Sequence, residues 1–192
     1  MSFKSILLSL AFLNASFAQK SPEKIFNLLP SPKVLSFDGF SELNAQDLQY
    51  FTKNITLPST IELAKTLQTK FGFSIKIDQK SSLKAESYSL LIKNKSLNII
   101  AKDQAGLFYA FMTLHQLIED ASEQGLKLPN CNIIDYPLLA YRSIHLDVKH
   151  HLEKPEYYFE LIDQLAKYKI NGIIAEVEDK IAYERHPLIG SA

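Results

Sequence analysis

Apolar residues recur along this chain with two different spacings, and each spacing predicts a different kind of element. Residues 21–32 hold three prolines and no period, which predicts an extended lead-in with at most one short helical turn. Residues 34–37 and 50–55 read as strands separated by the polar run SELNAQDLQ. Ser59 with Glu62 three places on is a capping-box pattern. The serine accepts a backbone N–H and the glutamate answers the N–H of the cap. Leu63, Ala64, Leu67 and Phe71 then recur at threes and fours, predicting a helix over 60–70 that Gly72 ends. Phe73, Ile75 and Ile77 alternate with polar residues, and 88–92 and 97–101 read as two further strands joined by KNKS. The run DQAGLFYAFMTLHQLIED, 103–120, carries a stripe of Leu107, Phe111, Leu114 and Ile118 widened by Phe108, Ala110 and Leu117. A stripe that wide predicts a helix laid across a sheet. After a turn at 123–128, LPNCNIIDYP predicts a short strand and a linker.

The pattern changes from Tyr141. Ile144, Leu146 and Val148 alternate, and Pro155 opens a helix with Tyr158, Leu161, Ile162, Leu165 and Ala166 directed inward. Lys167 and Lys169 fall at its carboxyl end, where cations are favoured, and Asn171-Gly172 stops it before the apolar run IIAEV. Strand, helix, strand with a helix this long predicts a parallel βαβ unit. Such a unit leaves sheet edges and a face uncovered, which implies further units or pairing with something else. The expected architecture is α/β. A small α+β domain comes first, with two helices on one face of a mixed or antiparallel sheet, and the opening of a truncated (β/α)8 barrel follows.

Composition narrows this further. Residues 1–18 combine a lysine, a short apolar run at 6–13 and the small residues Ala15 and Ala18, the pattern of a secretory signal peptide cleaved after Ala18. No cysteine follows to take a lipid, and no segment is long enough to span a bilayer. The expected segments are therefore a signal peptide at 1–18, the small domain at 19–137 and the incomplete barrel at 138–192. The expected location is outside the inner membrane, periplasmic or extracellular. A net charge of zero over 192 residues supplies no field for nucleic acid or an anionic membrane surface. The single cysteine, Cys131, excludes an internal disulfide framework and reads as a small buried hydrophobe.

In a parallel barrel the chemistry sits at the carboxyl ends of the strands. That directs attention to residues 147–151 and to Glu176, Glu178 and Asp179. Glu176 and Glu178, two apart on a strand, point the same way, as an acid–base pair or as two solvated residues where the strand frays. Arg142 has a fork of donors suited either to sugar hydroxyls or to an ion pair that holds its strand to a neighbour. His145, His150 and His151 invite a metal reading, but adjacent histidines rarely face one ion and no zinc spacing is present. No metal and no cofactor is expected. His115 reads as a hydrogen-bonded helical histidine near an interface.

The stretch YRSIHLDVKHHLEKPEYYFELIDQLAKYKIN resembles the start of the catalytic barrel of family 20 glycoside hydrolases, the β-N-acetylhexosaminidases, whose usual form is R-G-x-x-L-D-x-x-R-H-F. DQAGLFYAFMTLHQLIED followed by LPNCNIIDYPLLAYR is similar to that family's G-x-x-x-G/A-x-x-T-L-x-Q-L segment and I-x-D-x-P join. The resemblance covers roughly 83–192, and 33–77 is compatible with the small domain that precedes the barrel there. It implies that Arg142 binds hydroxyls of the terminal N-acetylated sugar, that Asp147 is structural, and that His151 lies near the strand end with His150 in place of an arginine. The second strand departs from the family's H-x-H-L-x-D-D; I-A-E-V-E-D-K-I-A-Y-E resembles the E-x-E-D-x-F-P-Y-E form of a divergent branch. Arg142, Glu176 and Asp179 are then the candidate substrate-binding residues, and an N-acetylated oligosaccharide or glycoconjugate is the implied partner. Family members act by a retaining, substrate-assisted mechanism with an adjacent aspartate and glutamate on the fourth barrel strand. No residue of this sequence occupies that place, so no catalytic residue is assigned and the fragment alone is expected to be inactive. Two other readings stay open. One is a non-catalytic glycan-binding module that uses Tyr50, Phe51, Tyr88 or Tyr109 as a platform, although all four also fit a core. The other is a fragment of a different hydrolase, such as an α-glucuronidase or an O-linked N-acetylglucosaminidase.

Overall fold

The computed structural model describes residues 21–53, 55–149, 152–178 and 182–188. The expected signal peptide, His150, His151 and Asp179 lie outside the described residues. A 3₁₀ turn, Pro22–Lys24, is the only helical piece of the lead-in, as its prolines dictate.

The first strand runs well past the short one expected at 34–37. β1 spans Val34–Asn44, and Gly39, at φ +67°, together with two register shifts lets it continue through the polar residues. The strand expected at 50–55 is a correction, because Ala45–Thr52 is a helix, α1. Asn44 caps it by accepting the Gln46 N–H at 3.2 Å, and Ala45, Leu48 and Thr52 bury one face at helical spacing. α2 covers Thr60–Phe71 and ends on Gly72 in the left-handed region at φ +69°. The capping box at its start does not form. Ser59 has helical backbone angles, and its hydroxyl accepts the Thr56 N–H at 3.0 Å and donates to the Thr56 carbonyl.

Four more strands complete the first sheet: β2 (Ser74–Ile77), β3 (Tyr88–Lys93), β4 (Ser96–Ala101) and β5 (Lys127–Asp135). Their order is β1-β5-β3-β4-β2, antiparallel except where β2 lies parallel to β4, so the sheet is mixed. The period of two is strict in β3 and β4, where Tyr88, Leu90, Ile92, Leu97, Ile99 and Ala101 are buried. Cys131 on β5 is buried with them, and burial pushes its thiol up to about 12, so it is a packing residue.

The long helix α3, Gln104–Glu123, lies across this sheet and is buried nearly all round. Its breadth has a specific cause: the sheet covers one side, and α1, α2 and the later helix α4 (Pro155–Lys167) cover the other. Within residues 21–137, three helices (α1, α2 and α3), not two, therefore accompany the sheet. Asp103 caps α3 by accepting the Gly106 N–H at 2.8 Å, while its second oxygen accepts the Glu86 N–H at 2.8 Å and fixes the loop before β3.

The second unit consists of β6 (Ser143–Asp147), α4 and β7 (Gly172–Glu176). β6 and β7 pair in parallel from Ser143 opposite Gly172 to Asp147 opposite Glu176, which is the βαβ connection expected. The described residues form an α/β fold with a mixed sheet and a separate pair of strands, and no closed barrel. α4 buries none of its residues fully. Tyr158, Leu161, Leu165 and Ala166 are half-covered, but Ile162, expected inward, stays exposed because two strands offer too little surface. The stop is also earlier than expected. Lys169, at φ +62°, takes the left-handed position after the helix, with Lys169 N–H on Ala166 O and Ile170 N–H on Leu165 O, both at 3.0 Å. That is a Schellman turn, so Asn171-Gly172 plays no part in ending α4. Among the described residues no helix is long and apolar enough to cross a membrane.

His115 sits where α3 meets α4. Its Nε2 is 3.2 Å from Glu119, whose other oxygen pairs with Lys167, and its Nδ1 is buried without a partner among the described residues. Burial lowers its pKa below the ordinary 6.5, against the opposing pull of Glu119. Between that lowered value and 6.5 the unfolded chain binds more protons than the folded one. The stability contribution is thus complete above pH 6.5 and is lost as the pH falls toward the folded value. Urea midpoints measured from pH 7.5 to pH 5 should fall for the native chain and fall less for His115→Gln. Parallel curves would show that another group carries the dependence.

Candidate functional site

Two polar clusters lie at opposite ends of the β6–β7 pair. At the carboxyl end, Glu176 closes β7 and is held from two sides, by His145 Nε2 at 2.9 Å and by Lys149 Nζ at 3.1 Å. Lys149 also reaches Glu178 at 2.7 Å, and its own N–H donates to Asp147 Oδ1 at 2.9 Å. Glu178 is not a strand neighbour of Glu176. It sits beyond β7 in a left-handed turn at φ +42°, and the shared lysine brings the two carboxylates together. The hydrogen bond and charge of Lys149 hold Glu176 below the usual carboxylate range. The hydrogen bonds to Glu178 and then Glu176 hold Lys149 above the usual lysine range. Glu176 is therefore an ionised acceptor at neutral pH, suited to taking hydroxyl protons as hydrogen bonds and unsuited to donating one.

At the amino end the polar groups are buried and join the two units. Asp135, the last residue of β5, pairs with Lys169 at 2.8 Å, and both side chains are more than nine-tenths covered. Lys169 also donates to Tyr88 OH at 2.9 Å, and that hydroxyl lies 2.6 Å from Thr113 Oγ1 on α3. Burial, reinforced by Asp135, raises the Tyr88 hydroxyl well above 10, whereas burial lowers Lys169 despite the pull of Asp135. Gln116 on α3 ties in the lead-in by exchanging hydrogen bonds with Leu29 N–H at 2.9 Å and Leu29 O at 2.8 Å. It also donates to Lys167 O at 3.2 Å.

Arg142 belongs to this second cluster. Its Nη2 donates to Glu86 and to Tyr109 OH, both at 2.8 Å; Nε donates to Lys169 O at 2.8 Å, and Nη1 to Leu139 O at 2.7 Å and Ala140 O at 3.4 Å. Those five bonds match the five N–H groups of a guanidinium. The geometry is that of an ion pair, as in the second of the two roles expected for this residue, but its partner Glu86 lies in the loop before β3 and not on the neighbouring strand β7. Arg142 and Glu176 are not brought together: Arg142 lies five residues before Asp147, which is opposite Glu176, so roughly 16 Å at about 3.3 Å per residue separates them. Of the three candidate substrate-binding residues, only Glu176 is both described and at the carboxyl end.

Sequence reasoning missed Lys149 and Lys169. Lys149 carried no motif, and Lys169 read as a cation for a helix end. Asp135 could have been singled out, because a carboxylate ending an apolar strand is costly to bury without a partner. Among the described residues no group of three His, Cys, Asp or Glu could hold a metal. Of the four platform aromatics, Tyr88 and Tyr109 are buried and Phe51 packs edge-on to Phe71. Tyr50, which also fitted a core, is 80% exposed.

The comparisons with known proteins agree with this arrangement of elements. The family model for glycosyl hydrolase family 20, domain 2, matches residues 27–136. The beta-hexosaminidase of Porphyromonas gingivalis is 30% identical over 171 residues, 78% of this chain and 22% of that protein. The beta-hexosaminidase of Vibrio vulnificus is 33% identical over 98 residues, 51% of this chain and 11% of that protein. The chain therefore spans about a tenth to a fifth of the length of such relatives. The solved structure of a family 20 β-N-acetylglucosaminidase superposes with a TM-score of 0.60 at 25% identity, covering 83% of this chain and 30% of that one. The Flavobacterium johnsoniae chitobiase superposes at 0.62 and 20% identity, covering 89% of this chain and 30% of that one, a likeness of fold.

Proposed function

Because the chain belongs to glycosyl hydrolase family 20 through the match of its residues 27–136 to domain 2, we propose that it supplies the second domain and the opening of the catalytic barrel of an exported β-N-acetylhexosaminidase. On this reading residues 1–18 are the signal peptide, 19–137 the small domain and 138–192 the first βαβ portion of a (β/α)8 barrel. The protein then works in the periplasm or outside the cell. Its substrate is a glycan ending in β-linked N-acetylglucosamine or N-acetylgalactosamine, cleaved with retention by substrate assistance.

One observation carries the reading. Directly after the family domain comes a parallel strand–helix–strand unit whose carboxyl end holds an ionised glutamate, Glu176, with Lys149 and His145 fixing both its oxygens. That is the end of a barrel strand where substrate contacts are made. Glu176 and Asp179 are the sugar-facing residues of this proposal. Arg142 serves beneath the site as the tie to the small domain. The orienting aspartate and the acid–base glutamate belong to later strands. Two strands cannot enclose a sugar, so the 192 residues alone do not turn over.

The test is release of 4-nitrophenol from its N-acetyl-β-glucosaminide by this chain and by a longer polypeptide that continues it through a complete barrel. Turnover only in the longer form, falling at least tenfold in kcat/KM with Glu176→Gln, supports the reading. Turnover by the short chain would overturn the placement of the catalytic pair, and turnover by neither would leave a non-catalytic module. The glycan-platform alternative gains little from the structure, since of its four candidate aromatics only Tyr50 presents an open ring.

A further inference from the structure

The geometry points to a second, separate binding site in the joint between the two units, one that takes a small carboxylate with a ring-sized apolar body. A cavity of about 190 Å³ opens there, at the amino end of β6 and away from the Glu176 cluster. An apolar cavity of ~150 Å³ is enough to hold a benzene ring. The walls are apolar, from Pro30, Tyr136, Pro137, Leu138 and Leu139, while the floor carries Lys169, Asp135, Tyr109, Arg142 and Glu86. A dry wall above a few convergent polar groups is the usual build of a small-molecule site.

The charges on that floor decide what kind of molecule it fits. Lys33, at the rim, with Arg142 and Lys169 gives three cations; Asp135 and Glu86 give two anions, so the lining is one positive charge in excess. Its unspent hydrogen-bonding capacity includes two donors. Lys169 uses two of the three N–H groups of an ammonium, on Asp135 and on Tyr88 OH, and its side chain is 93% buried. Tyr109 accepts from Arg142 through its hydroxyl oxygen, and no acceptor among the described residues takes its own proton. Arg142 has nothing left to give, and its guanidinium neutralises Glu86 at 2.8 Å. A buried cation with a spare donor, a buried hydroxyl with a spare proton and a net positive lining all ask for an anionic acceptor. The room above them takes one ring. A benzoate-like or alicyclic monocarboxylate meets these conditions, and a neutral amide of the same shape does not.

The experiment is titration of the whole chain with sodium benzoate and, separately, with benzamide, followed by calorimetry and by amide chemical-shift changes. Benzoate should saturate with a dissociation constant of about 1 mM or tighter, the range open to a ligand of this size. Benzamide should bind at least tenfold more weakly. Leu138→Trp leaves every hydrogen bond intact and alters a residue 77% exposed, so it closes the cavity without unfolding the chain and should abolish binding. Lys33→Ala, at the rim, should weaken benzoate several-fold and leave benzamide unchanged. Equal affinity for the two probes, no saturation by 20 mM, or benzoate binding that survives Leu138→Trp would each overturn the site. None of these outcomes depends on whether the longer protein hydrolyses a hexosaminide.

Discussion

Lys169→Met lowers the unfolding free energy of the chain by about 3–5 kcal/mol, the usual cost of removing one partner from a buried ion pair. The cost arises on the carboxylate left behind, since Asp135 is only 7% exposed and keeps its Tyr136 N–H bond at 2.9 Å but loses its one cation. Tyr88 loses the lysine at 2.9 Å as a donor to its hydroxyl and keeps Thr113 Oγ1 at 2.6 Å. The paired change Lys169→Met with Asp135→Leu should recover most of the loss, because two apolar side chains of similar volume often replace a buried pair without penalty. Urea denaturation of the three variants decides it. If the double variant is no better than the sum of the singles, the pair is not what Lys169 contributes, and its backbone position in the turn is.

Gly106→Ala is the second large effect, about 3 kcal/mol, at the upper end of what overpacking costs. A methyl group at this position falls far inside van der Waals contact with the Ser87 carbonyl oxygen and 3.1 Å from the carbonyl carbons of both Glu86 and Ser87. None of these atoms can step aside. Ser87 O accepts the Lys102 N–H at 2.9 Å, and Asp103 clamps the Glu86 N–H. The first turn of α3 would have to lift off β3, carrying the Asp103 cap with it. A thermal melt within a degree of the parent would show that the strand end yields more easily than this geometry allows.

Where the apolar period was strong, the sequence was enough. α3, β3 and β4 lie where alternation or helical spacing put them, because each is covered by neighbours along its whole length and the pattern has nothing else to record, whereas β5 is longer than the short strand expected and begins at Lys127, inside the turn expected at 123–128. α1 escaped because only Ala45, Leu48 and Thr52 of its eight residues are buried. So short a face leaves almost no period, and the β-prone Tyr50 and Phe51 at its end suggested a strand. The Ser59–Glu62 motif failed for a different reason, since Thr56 three residues upstream offered the serine a tighter local partner. At the candidate site, the acidic residues were legible because strand ends are legible. The joint was not, because Asp135 meets Lys169 and Arg142 meets Glu86 across 34 and 56 positions of chain, and no local pattern encodes a pairing at that range.

The left-handed turn at Lys169 carries one more implication. A lysine there gives up the backbone ease that glycine would bring, at a cost of order 1 kcal/mol, which the reach of its side chain to Asp135 and Tyr88 offsets. The match to domain 2 ends at residue 136, one position after that aspartate. A boundary drawn there separates Asp135 from Lys169, so residues 27–136 by themselves leave out the cation that pairs with that carboxylate. Expressed without the strand and helix that follow, this segment would carry a carboxylate in its core with no cation to answer it.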